Sequence, residues 1–167
     1  MMLMIILKQS EDNKMIIYKD FEFDMAHRLD EYNGLCKNIH GHIYKLTIGL
    51  NVSKLDKLGI SIDFKMIREV VNENIIKYVD HSLWLKDSKN NEKLIKLLKK
   101  EKNRLLLTPY NSTAENMALT IWHILHKKIP MYTVTLFETP TSRVTVNHAN
   151  YEAAKKSIVD FEFSGEE

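Results

Sequence analysis

Two runs of alternating polarity, at residues 21 to 29 and 40 to 52, do most to limit how this chain can fold. In the first, Phe21, Phe23, Met25, His27 and Leu29 alternate with Glu22, Asp24 and Arg28. In the second, His40, His42, Tyr44, Leu46, Ile48, Leu50 and Val52 share one face, with Lys45, Thr47 and Asn51 on the other. A period of two marks half-buried strands. It also puts three histidines on core-facing positions, where each imidazole is costly to bury without a partner.

Helical spacing appears between and after these runs. Phe64, Ile67, Val71, Ile75 and Tyr78 recur at steps of three and four, predicting a helix over 63 to 79 with Asp63 as N-cap. A second helix is expected after Ser112, with Ser112 and Glu115 at capping-box spacing, a stripe of Ala114, Ala118, Ile121 and Leu125, and Pro130 closing it. Two strands follow at 131 to 138 and 141 to 149, joined at Thr139 and Pro140. Upstream, the apolar stretches 2 to 8 and 15 to 19 flank the polar cluster Ser10 to Lys14 and read as a hairpin. The order of strands, helices and strands is α+β. At 167 residues and 44% hydrophobic content, one domain over 1 to 167 is expected.

The stretch 86 to 104 reads as an insertion holding a short amphipathic helix around Leu94, Ile95, Leu97 and Leu98, and 150 to 167 as a tail. Eight basic residues against three acids in the insertion fit either a solvated face or a patch for a phosphorylated substrate. The net charge of +2 gives no global field for nucleic acid or an anionic membrane. Residues 1 to 7 are apolar but fall short of the roughly 18 to 20 needed to span a bilayer. A single cysteine excludes an internal disulfide and fits the cytoplasm.

His40 and His42 are separated by one residue on a strand, so both imidazoles leave the same face at chelating distance, and Gly41 lets the backbone pass close by. With His27 they form three nitrogen donors and no evident fourth, the pattern of an open, catalytic zinc site. Cys36 is either a buried small hydrophobe or a thiol activated by a nearby metal. Asp80 and His81 are adjacent, and a carboxylate can orient an imidazole if the turn allows it. Glu138 continues the even row of Val134 and Leu136, either as a solvated strand end or as an anchor for adjacent N–H donors.

Taken in order, these residues resemble one family. They are Phe23-Asp24-Met25-Ala26-His27-Arg28-Leu29, Cys36-Lys37-Asn38-Ile39-His40-Gly41-His42, Asp80-His81, Thr113-Ala114-Glu115-Asn116 and Glu138-Thr139-Pro140-Thr141. The pattern is similar to the 6-pyruvoyltetrahydropterin and 6-carboxytetrahydropterin synthases and covers about residues 20 to 147. The resemblance implies the tunnelling fold, a four-stranded antiparallel sheet with two helices between its second and third strands. It further implies a homohexamer of two stacked trimers with pterin sites at subunit boundaries. His27, His40 and His42 match zinc ligands, Cys36, Asp80 and His81 the catalytic trio, Glu138 the pterin anchor, and Thr113 and Glu115 positions that help hold the pterin.

Three residues separate Cys36 from His40, which resembles the carboxy enzyme of queuosine and related deazapurine synthesis; the animal pyruvoyl enzyme generally has a longer interval. Lys37 stands where a branch forming hydroxymethylpterin carries glutamate. The activity implied is conversion of 7,8-dihydroneopterin triphosphate to 6-carboxy-5,6,7,8-tetrahydropterin. The alternatives are the pyruvoyl product and a zinc-stabilised pterin-binding protein without turnover.

Overall fold

The computed structural model describes residues 15–158. The chain runs through β1 (Met15–His27), β2 (His40–Val52), α1 (Phe64–Val71), a π-helical turn (Asn72–Ile76) and the short α2 (Lys77–Val79). There follow β3 (Ser82–Lys86), α3 (Glu92–Lys100), β4 (Leu105–Thr108), α4 (Ala114–Leu125), β5 (Met131–Thr139), β6 (Ser142–Asn147) and α5 (His148–Ala154). The expected strand at 2 to 8 lies outside the described residues. The stretch 15 to 19 is the beginning of β1 itself, continuous with the run from Phe21.

The fold is α+β, but its sheet is not the expected four-stranded antiparallel one. Six strands lie in the order β4-β3-β1-β2-β5-β6. The antiparallel ladder of β1, β2, β5 and β6 is present as anticipated, and β3 and β4 extend it in parallel beyond β1. The stretch read as an insertion is therefore largely a β3-α3-β4 crossover, the connection that parallel neighbours require. Ser82–Lys86 and Leu105–Thr108 are four or five residues long, and apolar runs that short carry no usable period. The helix expected within the stretch is α3, which buries Ile95 and leaves Leu97 exposed.

Core formation follows the pattern closely. Tyr44, Leu46, Ile48 and Leu50 of β2 are wholly buried with Val134 and Leu136 of β5. Ile67, Val71 and Ile75 from the first helical segment and Met117, Ile121 and Leu125 from α4 close over them in the same cluster. Asp63 caps α1 by accepting a hydrogen bond from the Lys65 amide at 2.7 Å. The cap of α4 falls one residue later than expected: Thr113, not Ser112, accepts from the Asn116 amide. Ser112 is instead buried and gives its hydroxyl to the carbonyls of Arg28 and Trp84. Glu115 thereby stands at the second helical position, exposed and outside any capping box. The final strand stops at Asn147, which caps α5 through a reciprocal bond with Asn150. Tyr151 and Ile158 of the expected tail are buried, while Asp160, Phe161 and Phe163 lie outside the described residues. No helix among the described residues is long and apolar enough to cross a membrane.

Candidate metal centre and pterin site

Register builds this site. The antiparallel pairing of β1 with β2 sets His27 opposite His40 and Met25 opposite His42, so the three imidazoles project from one face. Their rings lie 4.5, 5.4 and 5.0 Å apart, and one nitrogen from each falls within 4.8 Å of the others. Gly41 eases the close approach of the two strands, since a Cβ there would stand a tight 3.3 Å from the Met25 carbonyl oxygen.

The tautomers are set by the backbone. His27 Nδ1 lies 2.9 Å from the Ser112 carbonyl, and His40 Nδ1 lies 2.9 Å from that of Asn38. A carbonyl oxygen only accepts, so in each ring Nδ1 carries the proton and Nε2 keeps its lone pair. His27 is 1% exposed, and its Nε2 is buried with no hydrogen-bond partner. Burial, reinforced by His40 and His42, holds this imidazole below its ordinary pKa against the pull of Ser112 and Glu138, so it stays neutral. An orphaned, neutral Nε2 beside two further imidazoles is the donor set that zinc takes, and these residues fit such an ion.

Glu138 closes one side of the group. Its Oε1 lies 3.5 Å from His27 Nε2, as the even row of β5 anticipates. Cys36 sits half-buried on a single 3-10 turn, Leu35–Lys37, whose entry is fixed by the Leu29 amide donating to the Cys36 carbonyl at 2.8 Å.

A profile of the 6-pyruvoyl tetrahydropterin synthase family matches residues 16–149. The chain belongs to that family. It is 34% identical to the 6-carboxy-5,6,7,8-tetrahydropterin synthase of Haemophilus influenzae, over 75% of this chain and 94% of that one. The protein of the same name from Rickettsia conorii is 36% identical over the same shares. The structure of Caenorhabditis elegans 6-pyruvoyl tetrahydropterin synthase superposes with a TM-score of 0.59 at 23% identity, covering 80% of this chain and 95% of that one. These likenesses make the chain a member of an enzyme family with the tunnelling fold.

Not every residue expected in the pterin synthase site is brought together within one chain. Asp80 and His81 do meet: His81 takes a left-handed backbone, φ 57°, and its Nδ1 lies 3.0 Å from Asp80 Oδ1. That oxygen also accepts from the Asp24 amide at 3.1 Å, and the His81 amide donates to the Asp24 carbonyl at 2.7 Å. Asp24, however, alternates with Phe23 and Met25, so this group stands on the face of β1 opposite the three imidazoles. There Asp24 and His81 border a shallow cleft of about 440 Å³ with Ile43 and Ser82. Thr113 lies beside the carbonyl that orients His27, and Glu115 points outward.

Two contributors escaped the sequence reading. Ser112, whose carbonyl sets the His27 tautomer, carries no local signal of that role. Asp30, only 4% exposed, accepts from Ser88 Oγ at 2.7 Å and Asn90 Nδ2 at 3.2 Å. Its backbone exchanges two further bonds with the Asn111 side chain, so one residue joins the Cys36 connection to the loops before α3 and before α4. Burial acts to raise this carboxyl, but Ser88, Asn90 and the charge of Lys86 outweigh it and leave the pKa below the ordinary 3.8. Its stabilising effect is therefore full above that value and drains as pH falls through the lowered one. We expect Asp30→Ala to cost about 2 kcal/mol in urea unfolding at neutral pH. The gap to the parent protein should narrow in the acid range below 3.8; a gap that persists unchanged there would refute the charge's role.

Proposed function

We propose that this chain is a cytoplasmic zinc-dependent lyase. It converts 7,8-dihydroneopterin triphosphate and water to 6-carboxy-5,6,7,8-tetrahydropterin, acetaldehyde and triphosphate. The observation that carries the reading is the set of three imidazoles, two with Nε2 turned inward by backbone carbonyls, standing directly beside the carboxylate of Glu138. Zinc held by His27, His40 and His42 would supply Lewis acidity toward the substrate's side-chain oxygens. Glu138 accepts hydrogen bonds from adjacent N–H groups of the pterin ring and fixes its plane, with Thr113 and Glu115 at the margin. Cys36 as thiolate removes a carbon-bound proton of the side chain. Asp80 holds His81 in the tautomer that returns protons during triphosphate elimination and carbon–carbon cleavage.

Asp80 and His81 face away from the three imidazoles of their own chain. In this reading they serve a neighbouring copy, and the assembly is a homohexamer of two stacked trimers with sites at subunit boundaries.

The test is incubation of zinc-loaded protein with 7,8-dihydroneopterin triphosphate and identification of the products by mass spectrometry. Carboxytetrahydropterin with acetaldehyde is the expected result. Pyruvoyltetrahydropterin would move the chain to the sister activity, and unchanged substrate would leave a pterin-binding protein.

A further inference from the structure

Tyr44 is the residue after His42 on the same face of β2, and its side chain is 0% exposed. The ring stacks on Phe23 at 5.4 Å and stands edge-on to His42 at 5.6 Å and His27 at 6.1 Å. All of its apolar surface is thus accounted for by packing, and a phenylalanine would meet the same neighbours. The hydroxyl is different: it is buried and has no hydrogen-bond partner among the described residues. A buried, unpaired hydroxyl opposes folding, so its presence calls for an explanation outside the protein's own contacts. The adjacent orphan, His27 Nε2, is accounted for by the metal reading; the Tyr44 hydroxyl is not.

The groups that act on this phenol locate it within the site. Its ring stands against His27 and His42, and His27 Nε2 lies 3.5 Å from Glu138 Oε1, so the phenol is next to the imidazole group that Glu138 borders. Its surroundings already hold an acceptor for pterin N–H donors, in Glu138, and a base, in Cys36. A neutral hydroxyl adds a donor that neither of these roles supplies.

We propose that the Tyr44 hydroxyl is a substrate-contacting donor, giving a hydrogen bond to an oxygen on the side chain at the pterin's C6. The assignment rests on the pterin-synthase reading above. An N–H of the ring could donate to the phenol oxygen but would leave the phenol proton without an acceptor; an oxygen on the side chain, which in that reading lies toward Cys36, takes it.

Tyr44→Phe removes only the oxygen. The zinc-loaded parent and this variant would be titrated calorimetrically with pterin-6-carboxylate, whose C6 substituent carries two acceptor oxygens, and melted without ligand. The expected result is about tenfold weaker binding, the ratio one hydrogen bond supplies, with equal zinc content and a melting temperature unchanged or raised. Equal binding by both proteins would overturn the Tyr44 assignment and leave the pterin reading standing. A lower melting temperature or failure to fold would show that the hydroxyl bonds within the protein and would also overturn it. If the parent itself does not bind the probe, the pterin reading falls and this assignment falls with it.

Discussion

Alanine at His40 is expected to abolish zinc retention and turnover together while leaving the metal-free fold intact. His40 is the informative ligand because it is only half-buried and its one bond within the chain is to the Asn38 carbonyl. Removing it leaves no core cavity, unlike removal of His27. Two imidazoles do not hold zinc as three do, and affinity should fall on the order of 1000-fold, since binding free energy is shared among few ligands. Bound zinc stabilises the native state by mass action, by about 4 kcal/mol at a thousandfold excess over its dissociation constant. The parent should therefore melt well above His40→Ala with zinc and level with it, or slightly below, after chelation. The parent's own cluster of three imidazoles is then without its ion. Zinc content by plasma emission and paired melts with and without chelator read both quantities. Full zinc content in the variant would remove His40 from the ligand set.

Alanine at Cys36 should separate binding from chemistry. Positioned acid–base groups contribute about 10² to 10⁴ in rate, and a loss of that size in kcat is expected with zinc content unchanged and KM shifted by only a few-fold. Cys36 lies on a one-turn segment outside the buried core, so the melting temperature should move little. A steady-state assay with quantified triphosphate release measures this. Undiminished kcat would assign the cysteine to the packing role that its type alone equally suggests.

The parts of this fold that were legible in the sequence are those where one face is buried and the other is wet. On β1 and β2 the period of two is long enough to fix both strand type and face, and with it the convergence of His27, His40 and His42. Asp63 and the α4 stripe were equally plain. β3 and β4 were hidden because they are short and largely buried, which erases alternation. Ser112 was misread as a cap because its type suits that role; the tertiary neighbours Arg28 and Trp84 claimed its hydroxyl first. Nor could local spacing show that Asp80 and His81 face away from the imidazoles, since that depends on the parallel docking of β3 against the end of β1. Tyr44 looked like any core aromatic, because the missing partner of a hydroxyl is a property of three dimensions.

The thirteen facing pairs of β1 and β2 leave one ambiguity that alternation cannot remove. A slip of one residue would turn every apolar side chain outward, but a slip of two keeps all of them inward and is nearly invisible to the hydrophobic pattern. Only the native alignment sets His27 across from His40 with His42 one step away. An ion captured by the three rings would thus select the correctly aligned hairpin from its two-residue neighbours. The same atoms that equip the protein for chemistry would then also favour the correct strand alignment while the chain assembles.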